Sequence, residues 1–209
     1  QFLATRPDII GEELANDLEK LQDKLPPFDI NTAKNILRKN YGEKKFKTIK
    51  SLSDPVAAAS IAQVHFAVLE IENIEKEVAI KILRPEIEKL FNKELNALLL
   101  LAFITEKLFS KTKRLKLTEV VLLLRRITKI EMDLRFEAAA ANELYSNTKN
   151  DQNIQVPKIY WDYTSKEILT LDRVNGVSIR DIETLKKQNV ESYYDLNLNS
   201  ETSRYIFRI

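Results

Sequence analysis

The 209 residues suffice for one domain or a little more, and 44% hydrophobic with 31% charged side chains is the mix of a globular protein. The 33 basic and 31 acidic residues leave a formal charge of +2, which argues against a nucleic-acid partner. The absence of cysteine excludes disulfides, thiolate metal ligands and a cysteine nucleophile, and three glycines are too few for a glycine-rich phosphate loop.

Residues 1–45 are predicted to form a helical N-terminal extension. Apolar residues three and four apart predict a helix over Asp8–Lys24, which Pro26–Pro27 ends. A second helix is predicted over Asn31–Tyr41, with Asn31 as its N-cap and Gly42 as its stop.

From Phe46 the hydrophobic period changes to that of strands. Phe46–Leu52, Ala62–Ile71 and Glu77–Leu83 are predicted strands, and the polar segment Glu72–Lys76 is the turn between the last two. The second and third predicted strands are rich in Val, Ile and Ala.

Two long helices and a hairpin are predicted next. The helices cover Glu86–Lys107 and Thr118 to about Tyr145, and the basic segment Lys111–Lys116 links them. Val156–Tyr163 and Ile168–Val174 then read as two strands of a hairpin.

Five strands, interrupted after the third by helices, predict an α+β fold with the layout of a protein-kinase N-lobe. In this interpretation a five-stranded antiparallel sheet and two extra helices fill residues 46–176. Residues 177–209, with a helix predicted over Ser178–Gln188, would begin a C-lobe. The chain starts at Gln1 rather than Met, so we expect a fragment of a longer protein, truncated before the C-lobe.

The segment Val78–Lys81 reads Val-Ala-Ile-Lys, the string that in kinases carries the lysine for the α- and β-phosphates of ATP. Strand alternation lets Val78 and Ile80 point into the core while Lys81 points the other way. The alternative interpretation is a solvent-facing lysine on an amphipathic strand.

An alanine-rich segment precedes this lysine, in the place of the kinase glycine-rich loop. It contains Ala57, Ala58, Ala59 and Ser60, whose small side chains let backbone amides approach a phosphate. Alanine does this less freely than glycine because its Cβ disfavours positive φ. The alternative is an ordinary alanine run in the core.

Three carboxylates on the second long helix are candidate partners for the lysine. Asp133 and Glu137 are four residues apart and share a helix face, whereas Glu131 and Glu137 are six apart. One of the three can pair with Lys81 and another can approach a metal or a second lysine. The alternative is a solvated helix surface on which the carboxylates pair with Arg135.

Taken together, these segments resemble the UbiB/ADCK family of atypical kinase-like proteins, which is linked to ubiquinone biosynthesis. The matching stretches are Gln1–Asp8, Leu21–Pro27, Ala58–His65, Val78–Lys81 and Glu131–Asn142. The resemblance covers nearly all of the chain up to about Gly176.

The resemblance implies roles for individual residues. Gln1 would be the last residue of the family's KxGQ motif, and Ala57–Ser60 its alanine-rich nucleotide loop. Lys81 would anchor phosphate, Glu131 and Asp133 would be the family's ExD motif, and Glu137 is a further partner for Lys81.

The segment Leu171–Val174 resembles the connection between kinase lobes, where Asp172 and Val174 would lie at the adenine. No HxDxxxxN or DFG string occurs in the sequence, so we expect the metal-binding half of the site to lie outside this chain. The single histidine, His65, is interpreted as structural.

Two functions follow from the resemblance. The first is the nucleotide-binding lobe of a UbiB-type kinase or ATPase, with ATP or ADP and Mg²⁺ as ligands of the full-length protein. Its expected partners are ubiquinone-biosynthesis proteins or membrane lipid, and its expected location is the cytoplasm or the surface of a bacterial inner membrane. The second is an inactive remnant that acts at most as a binding module.

Overall fold

The computed structural model describes residues 26–151 and 154–176. The chain divides into two compact units, residues 1–173 and 174–209. The helices predicted over Asp8–Lys24 and Ser178–Gln188 lie outside the described residues, as does Gln1.

The first unit is built on an antiparallel sheet, which confirms the predicted α+β class. Its strands stand in the order of the sequence. They are β1 (Ile49–Ala58), β2 (Ala62–Ile71), β3 (Ile74–Leu83) and β4 (Ile168–Asp172).

The prediction of a fifth strand over Val156–Tyr163 is wrong, since the described sheet has four strands. Only Ile159 forms a bridge there, opposite Leu171, and Trp161–Tyr163 is a 3-10 turn. Ile159 and Tyr163 are both buried, so this segment packs against the core as irregular structure rather than as a paired strand.

The turn between β2 and β3 is shorter than predicted. Glu72 and Asn73 adopt left-handed φ values of 53° and 63°, as a tight two-residue hairpin requires. Strand β3 therefore begins at Ile74 rather than Glu77. Its first four residues are exposed, and for that reason they lack the apolar alternation that marks a strand in sequence.

The described part of the chain contains four α-helices. They are α1 (Ile30–Phe46), α2 (Ile87–Leu108), α3 (Leu117–Glu131) and α4 (Leu134–Thr148). None of the described helices combines the length and apolar character needed to cross a bilayer.

Helix α1 begins at Ile30, one residue before the predicted N-cap Asn31. Asp29, not Asn31, caps it: the Asp29 carboxylate accepts from the amides of Asn31 and Thr32 at 3.0 and 2.9 Å. Gly42, predicted as the stop, is non-helical with φ 74° and ψ 162°, and one further turn follows this kink to Phe46.

The second long helix predicted over Thr118 to about Tyr145 is in fact two helices. Asp133 has an extended backbone between α3 and α4 and caps α4. Met132 is buried beside the break, and the amide of Leu134 donates to Lys166 O at 3.0 Å. Burial of Met132 and the cap at Asp133 therefore outweigh continuous helix propensity.

Apolar clusters cover both faces of the sheet. On one face α1 contributes Ala33 and Leu37 to a cluster with the alternate β3 residues Val78, Ile80 and Ile82. On the other, Ala138 of α4 and Ile87 of α2 pack with Ala79 and Leu83. Because side chains alternate along β3, Lys81 emerges on the α4 side.

Candidate functional site

Lys81 and Glu137 form an ion pair that joins β3 to α4. The Lys81 Nζ donates to both carboxylate oxygens of Glu137, at 2.8 Å each. Lys81 is half-buried, with 19% of its side chain exposed against 43% for Glu137. The fold places them together because Ala138, next to Glu137, is fully buried in the cluster that contains Ala79.

The alanine-rich end of β1 lies in the same row of the sheet as Lys81. In the strand register Ala57 is opposite Val64, and Val64 is opposite Lys81. Since adjacent strands are about 4.8 Å apart, the backbone of Ala57 is about 10 Å from that of Lys81.

Ala57 and Ala58 belong to the strand, which runs six residues beyond its predicted end at Leu52. Only Ala59, Ser60 and Ile61 separate β1 from β2, and we call these three residues the alanine-rich turn. The amide of Ala59 donates to Ala62 O at 2.8 Å. None of these residues has a left-handed φ. Alanine therefore fits this turn without the strain that would call for glycine.

Asp133 pairs with Arg135 rather than with Lys81. Its Oδ1 accepts from the Arg135 Nε at 2.8 Å and its Oδ2 from Nη2 at 2.6 Å. The hydrogen bond to this guanidinium holds the pKa of the Asp133 carboxyl below its usual value. Asp133 and Glu137 therefore bind different partners. Their spacing of four residues does not put them on one helix face, because Asp133 is the N-cap of α4 and not a residue of the helix.

Glu131 is the last residue of α3 and is exposed to solvent. It forms no ion pair within the described residues. Of the three predicted carboxylates, the structure brings only Glu137 to Lys81.

Of the two predicted adenine-side residues, Asp172 lies in the strand at the far edge of the sheet. Asp172 ends β4, opposite Val78, and its Oδ1 accepts from the Tyr160 hydroxyl at 2.6 Å. The desolvated hydroxyl, held by this carboxylate, has a raised pKa. Val174 falls in the second compact unit.

One residue at the alanine-rich turn was missed in the sequence. The Arg84 Nε donates to Ala59 O at 3.0 Å, and the Arg84 amide donates to Ile61 O at 2.8 Å. Its signal in the sequence is an arginine directly after the predicted strand that contains Val-Ala-Ile-Lys, and directly before Pro85.

The residues present fit the phosphate end of a nucleotide better than its metal. A half-buried lysine held by a carboxylate is suited to bind an anion. Among residues 26–151 and 154–176 no three carboxylate or imidazole groups converge as metal ligands.

Comparison of the sequence with those of known proteins identifies the family of this chain. Residues 20–202 match the ABC1 atypical kinase-like domain. The chain is 40% identical over 191 residues to "Probable protein kinase UbiB" of Marinobacter nauticus, and 34% identical over 192 residues to the protein of that name from Pseudomonas paraeruginosa. The match covers 91% of this chain but only 34% and 36% of those relatives. The chain belongs to the family of the ABC1 atypical kinase-like domain.

Proposed function

We propose that this chain is the nucleotide-binding lobe of a UbiB-type atypical kinase or ATPase. The observation that carries the proposal is the Lys81–Glu137 ion pair, two strands away from the alanine-rich end of β1. A lysine on the third strand, held by a helix carboxylate, is the arrangement with which kinases bind the α- and β-phosphates of ATP.

The ligand of the proposed site is ATP or ADP with Mg²⁺. Lys81 would bind phosphate oxygens, the turn after Ala57 and Ala58 would cover them, and Asp172 would border the base. Mg²⁺ supplies neutralisation of phosphate charge when bound. The chain covers about a third of its relatives' length, so phosphoryl transfer and support of ubiquinone biosynthesis are proposed for the whole protein.

Nucleotide binding to the purified chain tests the proposal. Titration calorimetry with MgADP and MgATP is expected to give saturable binding that Lys81→Ala weakens at least about tenfold, since a charge-assisted contact contributes about 1.5–3 kcal/mol. Lys50→Ala is the matched control: it also removes a strand lysine paired with a glutamate, Glu70, at the other end of β1. Equal affinity of the wild type and Lys81→Ala would refute the site.

The inactive-remnant alternative is decided by turnover. Phosphate release from ATP by the chain, lost in Lys81→Ala and kept in Lys50→Ala, would exclude the remnant. Binding without turnover assigns the chain a nucleotide-binding role alone, and absence of both supports the remnant.

A second candidate function, contact with anionic lipid, is favoured by the tip of the α2–α3 hairpin. Leu108, Phe109 and Leu115 are 71%, 60% and 58% exposed, among the highest values for large apolar side chains in the described residues. The cations Lys107 and Arg114 are their sequence neighbours. Apolar side chains beside cations suit an anionic membrane surface, at about 1 kcal/mol per basic residue.

Vesicle flotation tests this second function. Binding is expected to vesicles that contain phosphatidylglycerol and not to pure phosphatidylcholine, and to be lost in Leu108→Ser/Phe109→Ser. Leu123→Ser, which is 53% exposed in the middle of α3, is the control and should retain binding. Equal binding to both vesicle types would contradict the proposed attraction between the basic residues and anionic lipid.

A further inference from the structure

The backbone just before α1 is fastened to the sheet by two side chains. Pro26 O accepts from the Arg84 Nη1 at 3.0 Å. Gln63 makes two bonds to Phe28: its Oε1 accepts from the Phe28 amide at 2.9 Å and its Nε2 donates to Phe28 O at 3.1 Å. Pro26–Phe28 is thus held by side chains of β2 and of the residue after β3.

The same side chains lead to both ends of residues 53–59, the segment that contains Ala57, Ala58 and Ala59. Arg84 uses its Nε for Ala59 O while its Nη1 holds Pro26. Gln63 contacts the His65 ring at 2.8 Å, and the His65 Nδ1 lies 2.8 Å from Ser53 O. Two independent chains of hydrogen bonds therefore lead from Pro26–Phe28 to the ends of residues 53–59.

Hydrogen-bond chemistry fixes the direction of the buried chain. A carbonyl only accepts, so the His65 Nδ1 carries the proton toward Ser53 O and, in the neutral ring, the Nε2 accepts from Gln63. The Gln63 amide then donates to both His65 and Phe28 O and accepts from the Phe28 amide. Only one orientation of the Gln63 amide satisfies all of these polar atoms. A flipped amide would place its NH2 group against the Phe28 N–H and its oxygen against Phe28 O.

The chain also compensates for irregular pairing in β1. The register with β2 slips between Leu52 and Pro55, so Ser53 lies in a bulge. There the His65 Nδ1 donates to the Ser53 carbonyl, and the Ser53 hydroxyl accepts from the Phe66 amide at 2.9 Å. Gln63 and His65 are 1% and 0% exposed, so breaking these bonds leaves buried polar groups without partners.

We propose that Gln63, His65 and Arg84 are positioning residues that couple Pro26–Phe28 to the alanine-rich turn, so that the segment preceding α1 and the nucleotide site set each other's conformation. The part concerning the nucleotide rests on the proposed function. The coupling itself rests on the two hydrogen-bond chains.

Amide hydrogen exchange, followed by NMR on the whole chain, tests the coupling through cross-effects. The reporters are the Phe28 amide, which bonds Gln63, and the Ala59 amide, which bonds Ala62 O. Arg84→Lys is expected to speed exchange at Phe28, and Gln63→Leu to speed it at Ala59, each about tenfold, the equivalent of one hydrogen bond. Rates are taken relative to the Ile80 amide, which reports global unfolding.

Asp29→Ala is the matched control because it removes the α1 cap next to Phe28 without touching either chain. It should speed exchange at Asn31 and Thr32, whose amides Asp29 binds, and leave Ala59 unchanged. If Arg84→Lys and Gln63→Leu each affect only the residue they contact, the two groups are local structural supports and the coupling is overturned.

A second arm adds MgADP. Because coupling is reciprocal, nucleotide is expected to slow exchange at Phe28 in the wild type, and to slow it less in Gln63→Leu, in which only the Arg84 chain remains. Lys81-dependent binding with no response at Phe28 would overturn the inference and leave the proposed function intact. No binding at all would sink the proposed function, and the cross-effects alone then decide the coupling.

Discussion

Glu137 accepts both of its hydrogen bonds from the Lys81 ammonium, at 2.8 Å to each oxygen, across the packing interface between α4 and β3. Buried apolar residues flank the pair on the same face of the sheet: Ala79 and Leu83 on β3 and Ala138 on α4. The apolar packing sets the distance between the two elements, and the ion pair then orients the ammonium.

Glu137→Gln should therefore disturb the lysine more than the fold. Glu137 is more than a third exposed, so its loss is expected to change the free energy of unfolding by less than about 1 kcal/mol. Nucleotide affinity is expected to fall, because the ammonium loses its anchor, but less than in Lys81→Ala. Urea unfolding and calorimetric titration of both variants check this order.

Reversal of that order would show that the carboxylate, rather than the ammonium, is the group that meets the ligand. Glu119→Gln is the control, since it breaks an exposed lysine pair with Lys116 on α3. It should alter neither the stability nor the affinity measurably.

Asp133 is expected to act as a cap rather than as a partner of Lys81. Asp133→Ala removes the N-cap of α4 and its pair with Arg135, and should lower the free energy of unfolding by about 0.5–2 kcal/mol. Asp133→Asn keeps an oxygen for the Arg135 amide and should cost less. Chemical denaturation of the two variants measures the difference, and equal losses would assign the effect to the charge.

The parts of the fold that were predictable from sequence are those whose patterns are local. Strand β2 has the predicted bounds, Ala62–Ile71, because seven of its ten residues are apolar and turns flank it. Helix α2 differs from its prediction by one residue at each end. The break at Met132 could not be predicted, since Met and Asp are both tolerated within helices and only tertiary burial of Met132 selects it.

The candidate site divides in the same way. The Val-Ala-Ile-Lys string identified Lys81 as a candidate, but the sequence left three carboxylates as possible partners, because a helix period cannot say which one faces a distant strand. The side-chain bonds of Gln63 and Arg84 to Phe28 and Pro26 span 35 and 58 residues. Contacts of that separation leave no periodic trace in a single sequence.

Gly42 is predicted to resist substitution although its surroundings are open. Apart from its own helix and chain neighbours, no atom of the described residues lies within 4 Å of where a Cβ would stand, so a side chain meets no clash there. Its φ of 74° and ψ of 162° belong to a region that is essentially restricted to glycine. Gly42→Ala should therefore cost about 1–3 kcal/mol in urea unfolding. Lys44→Ala, an exposed change in the next turn, is the control and should be nearly neutral.

The buried imidazole of His65 should make stability depend on pH. Burial is the largest influence and lowers the pKa of His65 below its ordinary 6.5, against smaller opposing effects of the Ser53 carbonyl and the Asp54 charge. A lowered pKa means that the unfolded chain binds the proton more readily. The stabilisation is therefore complete above pH 6.5 and is lost as the pH falls through that value toward the pKa of the folded state.

Gln63→Glu should reverse the sign of this dependence. A carboxylate at position 63 can accept from a protonated Nε2, so the pKa of His65 should rise, and the stabilisation from the pair should then be present at low pH and lost on alkalinisation. His65 is the only histidine in the sequence, so NMR titration of its ring gives the pKa directly in both proteins. A wild-type pKa above 6.5 would contradict the neutral ring and the hydrogen-bond direction inferred for Gln63.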